Sequence, residues 1–153
     1  MDISLKRLTL FKDLKESYMD LLQPLFEAFT CDAGTTVIQQ GLPADYLYLI
    51  TSGKAEVSYK PYDGVSITVT HVEAGGLFGW SAVVGSDKYT SSAVASETLE
   101  AVRIHGSALR NLCLEHPEAG RDILESLANS VSTRWKDANA QVQSILEQGL
   151  QVK

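Results

Sequence analysis

Asp45-Tyr46-Leu47-Tyr48-Leu49-Ile50, continuing into Ser52-Gly53-Lys54-Ala55-Glu56-Val57, is the stretch on which the reading of the whole chain turns. Tyr46, Tyr48 and Ile50 alternate with Leu47 and Leu49, so both sets of alternating positions are apolar. Side chains of a strand point to opposite faces in turn, so this segment reads as a strand covered on both sides. Gly53 then supplies a turn, and the same punctuation repeats on either side. Gly34, Gly41, Gly53, Gly64 and Gly75 come at steps of 7, 12, 11 and 11 residues, and eight of the eleven glycines fall between Gly34 and Gly85. That is the spacing of turns in an antiparallel sandwich or barrel. Tyr62-Asp63-Gly64 carries an Asp-Gly hairpin signal. After it, Val65, Ile67, Val69 and His71 read as one face, and Ser66, Thr68 and Thr70 as the other.

The flanks change period. Over residues 1–30, Leu10, Leu14, Tyr18, Leu21, Leu22, Leu25, Phe26 and Phe29 recur at three- and four-residue steps, which reads as helix with a break at Pro24. From Ser107 the chain is helical again, and Pro117 with Glu118 and Asp122 behind it suits a helix start. A heptad follows: Leu124, Val131, Ala138, Ile145 and Val152 are seven apart, with Ala128, Trp135, Val142 and Gly149 in the second seam. About 33 residues at 1.5 Å each make roughly 50 Å, longer than a small domain is wide. The far half of this helix needs a partner, and a second copy is the simplest, so a parallel homodimer is expected through Leu124, Ala128, Val131, Trp135, Ala138, Val142 and Ile145. The chain therefore reads as one domain over 1–153: helices at 1–30, a β-barrel at 31–105, and helices at 107–152 with the long one from about 117.

Composition bounds the function. The chain has 153 residues, 13 basic and 19 acidic side chains and a net charge of −6, which argues against a protein that wraps nucleic acid. Cys31 and Cys113 form neither a disulfide framework nor a zinc knuckle. No apolar run reaches the roughly 20 residues of a membrane span, and the first ten residues do not read as a signal peptide, so the expected location is the cytoplasm. His71, His105 and His116 lack metal-ligand spacing, so no metal is expected. Gly79-Trp80-Ser81 lacks the closing glycine of a nucleophile elbow, and Gly75-Gly76-Leu77-Phe78-Gly79 lacks the Gly-Lys of a phosphate loop. With no credible carboxylate pair either, the chain does not read as an enzyme.

Taken in order, Leu10-Phe11, Gly34, Gly41, Asp45–Ile50, Ser52–Val57, Asp63-Gly64, Gly75-Gly76-Leu77-Phe78-Gly79 and Val94-Ala95 resemble the cyclic nucleotide-binding domain of catabolite-activator-like regulators. The resemblance covers about residues 8–150. It implies a mainly β fold with flanking helices: a jelly-roll (double-stranded β-helix) barrel, N-terminal helices and a long C-terminal dimerisation helix. The helix–strands–helix order found from periodicity agrees with it.

The resemblance also implies a ligand cassette, here Phe78 to Ala95, of a strand end, a short helix and the next strand. Candidate ligand-binding residues are Phe78, Gly79, Trp80, Ser81, Ala82, Tyr89, Thr90 and Ser91, with Arg134 and Trp135 of the long helix as a possible cap on the ligand. Glycines let the backbone approach an anion, and a helix N-terminus at Trp80-Ser81-Ala82 aims amide groups at a phosphate. The family's glutamate for the ribose hydroxyl falls on Trp80, and its arginine for the cyclic phosphate falls on Tyr89. Losing a charge-assisted hydrogen bond costs roughly 1.5–3 kcal/mol. Two such losses would take a micromolar ligand to millimolar or beyond. Standard cAMP or cGMP binding is therefore disfavoured, and no cofactor is expected.

Two readings remain. In one, the hydroxyl-rich and aromatic cassette takes a different, less anionic small-molecule effector, and the long helix relays its presence to a downstream protein partner. In the other, Trp80 and Tyr89 fill the old pocket, and the chain is a constitutive dimerisation or protein-interaction module. Residues 117–153 hold 4 basic against 5 acidic side chains. With the family's DNA-reading helix-turn-helix expected to be missing from this chain, no direct DNA binding is expected.

Overall fold

The structure is a computed structural model that describes residues 11, 14–60, 67–83 and 87–128, with backbone alone at 67–69. Helix α1 (Glu16–Leu22) passes into a 3₁₀ turn at Gln23–Leu25. Pro24 lies in that turn, where a residue without an N–H ends the α-helix as expected. Eight strands follow among the described residues: β1 (Glu27–Cys31), β2 (Thr36–Ile38), β3 (Tyr46–Ser52), β4 (Lys54–Tyr59), β5 (Ile67–Glu73), β6 (Leu77–Phe78), β7 (Ser92–Ala95) and β8 (Leu99–His105). Helix α2 (Gly106–Glu115) comes next, and helix α3 runs over the described residues 117–128.

The strands form two four-stranded antiparallel sheets, ordered β1-β8-β3-β6 and β2-β7-β4-β5. Packed face to face, this is the jelly-roll order. The sheets stay separate, so the architecture is an open double sheet rather than a closed barrel. Leu47, Leu49, Val102 and Ile104 of the first sheet face a cluster with Met19 and Leu22 of α1, Leu109 and Leu112 of α2, and Ala119, Ile123 and Leu127 of α3. Tyr48, Ile50 and Leu99 face the second sheet, against Val57, Val72, Ala93 and Ala95. The doubly apolar reading of β3 thus holds: Leu47 to Ile50 are all buried, one pair toward helices and one toward strands. Each fully buried leucine there contributes about 1.5–3 kcal/mol.

Two expectations need correction. The segment 27–30, read as helix, is strand: β1 pairs with β8 from Glu27↔Arg103 to Cys31↔Leu99. The misleading signal was the three-residue step from Phe26 to Phe29. In a helix that step keeps one face, but in extended chain it puts the two rings on opposite faces. Both faces of this sheet are covered, so Phe26 joins the helix-side cluster and Phe29 the inter-sheet one. His71, read with the apolar face of β5, is instead exposed, while Val72 is buried. The reason is a bulge: Val57 pairs with Thr70 but Ser58 with Thr68, so one extra residue on β5 reverses the alternation.

The glycine punctuation holds at Gly34, Gly41, Gly53 and Gly75, all with φ between 90° and 95°. At Gly53 a side chain would also collide with the Thr98 carbonyl oxygen, which explains why the β3–β4 turn needs glycine. β4 and β5 pair antiparallel on either side of the Asp63-Gly64 hairpin signal, which itself lies outside the described residues. Helix α3 starts at Pro117 as expected and buries the 119/123/127 stripe in its own domain. Leu124 and Ala128 of the expected seam are half-buried beside that stripe. Val131, Arg134, Trp135, Ala138, Val142 and Ile145 lie outside the described residues.

Candidate functional site

The cassette starts on β6. Phe78 is buried and stacks on Tyr48 of β3, ring centroids 5.0 Å apart and planes 8° from parallel. Gly79 then turns the chain with φ 88° and ψ 27°, and the short 3₁₀ helix Trp80–Ala82 begins. Only glycine fits there. A Cβ would lie 2.7 Å from the Tyr46 carbonyl oxygen and 3.6 Å from a Tyr89 ring carbon, and the backbone is left-handed besides. The cassette's short helix is therefore pressed against the start of β3, whereas the sequence reading assigned the cassette glycines to the approach of an anion.

Trp80 is half-buried and packs toward the helix-side cluster, not between the sheets. Ser81 is buried, and its hydroxyl oxygen accepts from the Thr90 N–H at 3.3 Å and lies 3.3 Å from Thr90 Oγ1. Ala82 is fully buried, and its carbonyl accepts from Arg110. Ser91 is buried, whereas Thr90 is exposed. The Ser92 hydroxyl accepts from the Gln40 N–H at 2.9 Å.

Tyr89 is the centre of the site. Its ring is buried in the inter-sheet cluster. Its hydroxyl donates to the Tyr46 carbonyl at 2.6 Å and accepts from the Tyr46 N–H at 3.0 Å. Burial pushes this phenol up to about 12. The backbone around it is pinned as well: the Gly41 N–H donates to the Tyr89 carbonyl, the Tyr89 N–H to Leu42, and the Ala44 N–H to Asp87, each at 3.0 Å. The adjacent Lys88 is exposed and bridges Pro43, so it faces away from the buried side that Tyr89 takes.

The structure thus brings Phe78, Gly79, Ser81, Ala82, Tyr89, Thr90 and Ser91 into one cassette, with Trp80 turned to its helix side. The proposed cap residues Arg134 and Trp135 lie outside the described residues. Sequence reading missed Tyr46 and Arg110, which hold the cassette from behind. Tyr46 acts through its peptide groups, which no side-chain pattern reveals, and Arg110 reaches Ala82 across 28 positions of chain.

Comparison with known proteins bears on the family and the fold. Residues 29–116 match the cyclic nucleotide-binding domain family. Over 128 residues the chain is 30% identical to the CRP-like cAMP-activated global transcriptional regulator of Mycobacterium tuberculosis, covering 84% of this chain and 57% of that protein. The chain therefore spans little more than half the length of that relative. Among solved structures, a cyclic nucleotide-binding domain from Methylobacillus flagellatus shares the fold with a TM-score of 0.76 and 22% identity, over 91% of this chain and 78% of that one. The catabolite activator protein of Thermus thermophilus shares it with a TM-score of 0.69 and 24% identity, over 89% and 62%.

Proposed function

The chain belongs to the cyclic nucleotide-binding domain family, and on that premise we propose that it is a regulatory sensing domain whose effector is less anionic than a cyclic nucleotide. The effector would sit in the cassette from Phe78 to Ser92 and act by biasing the C-terminal helix, through which two copies pair. The observation that carries this reading is Tyr89. The cassette has a left-handed Gly79 and a short helix, and position 89, to which the resemblance assigns the phosphate arginine, holds a buried phenol bonded to Tyr46. From Phe78 to Ser92 the charged side chains are Asp87 and Lys88, both exposed. No charged side chain of the cassette is buried, which suits a neutral or weakly charged molecule. An effector moves such a domain only by its difference in affinity for the two states.

Regulation rather than catalysis is also what the related regulator's name describes. We read this chain as a regulatory non-enzyme working in the cytoplasm. Among the described residues no helix is long and apolar enough to cross a membrane.

One observation favours a second reading. Several cassette hydroxyls already have partners: Tyr89 with Tyr46, Ser81 with Thr90, and Ser92 with Gln40. A cassette satisfied in this way could serve a constitutive interaction module. A thermal-shift screen of cyclic nucleotides, nucleosides and neutral metabolites, with Trp80 fluorescence as second readout, separates the two. Sensing predicts that at least one neutral compound, at about 100 times its Kd, adds close to 3 kcal/mol and raises Tm by roughly 6–12 °C, while cAMP and cGMP do not. A Tm unmoved by every compound at millimolar concentration leaves the constitutive module. A Tm raised by cAMP at micromolar concentration returns the chain to the standard family ligand. Light scattering tests the pairing: a mass near 16.7 kDa removes the dimer.

A further inference from the structure

The geometry points to Arg110 as the positioning residue that couples the cassette's short helix to α2 and, through α2, to α3. This deepens the sensing function proposed above and rests on that reading for its biological use.

The argument starts at Ala82, the last residue of the short helix, which is fully buried. Carbonyls at a helix end have no partner within the helix. Here an Arg110 Nη1–H donates to the Ala82 carbonyl from the second turn of α2. The same carbonyl lies against the first residue of α2: a Cβ on Gly106 would collide with the Ala82 carbonyl oxygen and lie 3.1 Å from the Ala82 side chain. The Gly106 N–H donates to the Asp45 carbonyl at 2.9 Å, which fixes this end of α2 to the entrance of β3. The cassette helix, the start of β3 and the start of α2 thus meet backbone to backbone.

The far end of α2 makes a second approach of the same kind. A Cβ on Gly120 of α3 would lie 2.6 Å from Cys113 Cα, 2.8 Å from its Cβ and 2.9 Å from its Sγ. One residue, His116, separates the two helices, and the Gly120 N–H donates to its carbonyl at 2.8 Å. Motion of α2 is therefore transmitted to α3 with little slack, because packed backbones do not deform continuously. At the cassette end, close packing resists compression but not separation. Arg110 supplies the resistance to separation. Arg110 is an exposed residue, and its one Nη1–H bond to the Ala82 carbonyl resists lengthening. A cassette that shifts away from α2 must either break this bond or pull α2 along.

A double-mutant cycle tests the coupling without any effector. Ser81→Ala loosens the cassette by removing the hydroxyl that holds Thr90. Arg110→Met keeps the apolar stem and removes the donors. Amide hydrogen exchange at residues 118–128 is measured in the native protein, both single variants and the double variant. Ser81→Ala is expected to speed exchange there by about three-fold with Arg110 present and to leave it unchanged in the Arg110→Met background. Arg110→Lys, which keeps donors but not the guanidinium, should recover part of the effect. The same acceleration in both backgrounds, or none in the native one, overturns the proposal, since a merely structural arginine gives additive effects. Should Arg110→Met fail to fold, Arg110→Gln replaces it in the same cycle. A failed effector screen leaves the outcome of this cycle standing, and an additive cycle leaves the effector screen standing.

Discussion

Tyr89 at the cassette and Tyr48 on β3 lie in one buried cluster between the sheets, but their hydroxyls are held by different kinds of partner. Tyr89 bonds to both peptide groups of Tyr46, at 2.6 and 3.0 Å. Tyr48 meets a guanidinium: Arg103 Nη1 lies 3.4 Å from its hydroxyl. Arg103 is itself fully engaged. Its Nε–H donates to Glu27 Oε1 at 2.6 Å, and its guanidinium lies 5.1 Å from the Phe29 ring centroid and 4.1 Å from that of Tyr46. Tyr46 joins the two regions, with its backbone serving the cassette and its ring covering the arginine. The difference teaches that a hydroxyl in this cluster can be held through a shared charge or by peptide groups alone, and that the cassette uses the second. At Arg103 the fold satisfies a charge with a carboxylate and two rings. At Tyr89 it has two backbone groups to satisfy, and a phenol does so without any charge.

The comparison can be broken most forcefully at Tyr89. Tyr89→Arg places an arginine where the resemblance implies a phosphate anchor, but it removes the strut to Tyr46 and puts a charge in an apolar cluster. A loss of about 3 kcal/mol or more is expected in denaturant titration. A loss below about 1 kcal/mol would show that the position is a free pocket wall. The conversion therefore cannot be judged by ligand binding alone, because cAMP would first have to offset that loss. Tyr89→Phe is milder. It keeps the ring and leaves the Tyr46 N–H and carbonyl without their partner, at about 1–3 kcal/mol. It also has a pH signature. The phenol is raised from 10.0 to about 12 by burial, so its share of stability is complete below pH 10 and is lost as pH rises through about 12. Tyr89→Phe should flatten that alkaline decline; an unchanged decline assigns it to other tyrosines.

How far the sequence could be read follows from the same chemistry. An antiparallel sandwich or barrel was within reach because turns need glycine at left-handed backbone and β3 needs apolar residues on both faces, and both demands are local; the jelly-roll order itself came only from the family resemblance. The β1 boundary was not, because Phe26 and Phe29 satisfy a helical step and a doubly covered strand equally well. His71 was misplaced because a bulge on β5 leaves no mark in residue type. At the cassette, the residue types at 80 and 89 were legible, and on the register that the resemblance implies they differ from the family's anchors. Their orientation was not. The partner of Tyr89 is a peptide group 43 positions away, and Trp80 turns toward helices whose docking depends on the finished sheet.

Smaller effects sharpen the other side of the comparison. Tyr48→Phe removes a hydroxyl with a single long contact to Arg103 while keeping the stack on Phe78, so about 0.5 kcal/mol is expected. A loss as large as that of Tyr89→Phe would make the two tyrosines equivalent and end the distinction drawn between them. Glu27→Gln should act least, because the carboxylate is exposed and solvent screens its pair with Arg103. Its value lies in the pH window. The hydrogen bond from Arg103 holds the Glu27 carboxyl below the ordinary carboxylate range. A depressed carboxylate stabilises the fold above its unfolded pKa and loses that effect as pH falls through its folded one. The Tm gap between native protein and Glu27→Gln should therefore be open at neutral pH and close as pH falls below the ordinary carboxylate range. A gap that persists in acid would mean that the substituted amide fits the corner poorly in shape, and the corner at Arg103 would then be held by packing, as the cassette is, and not by charge.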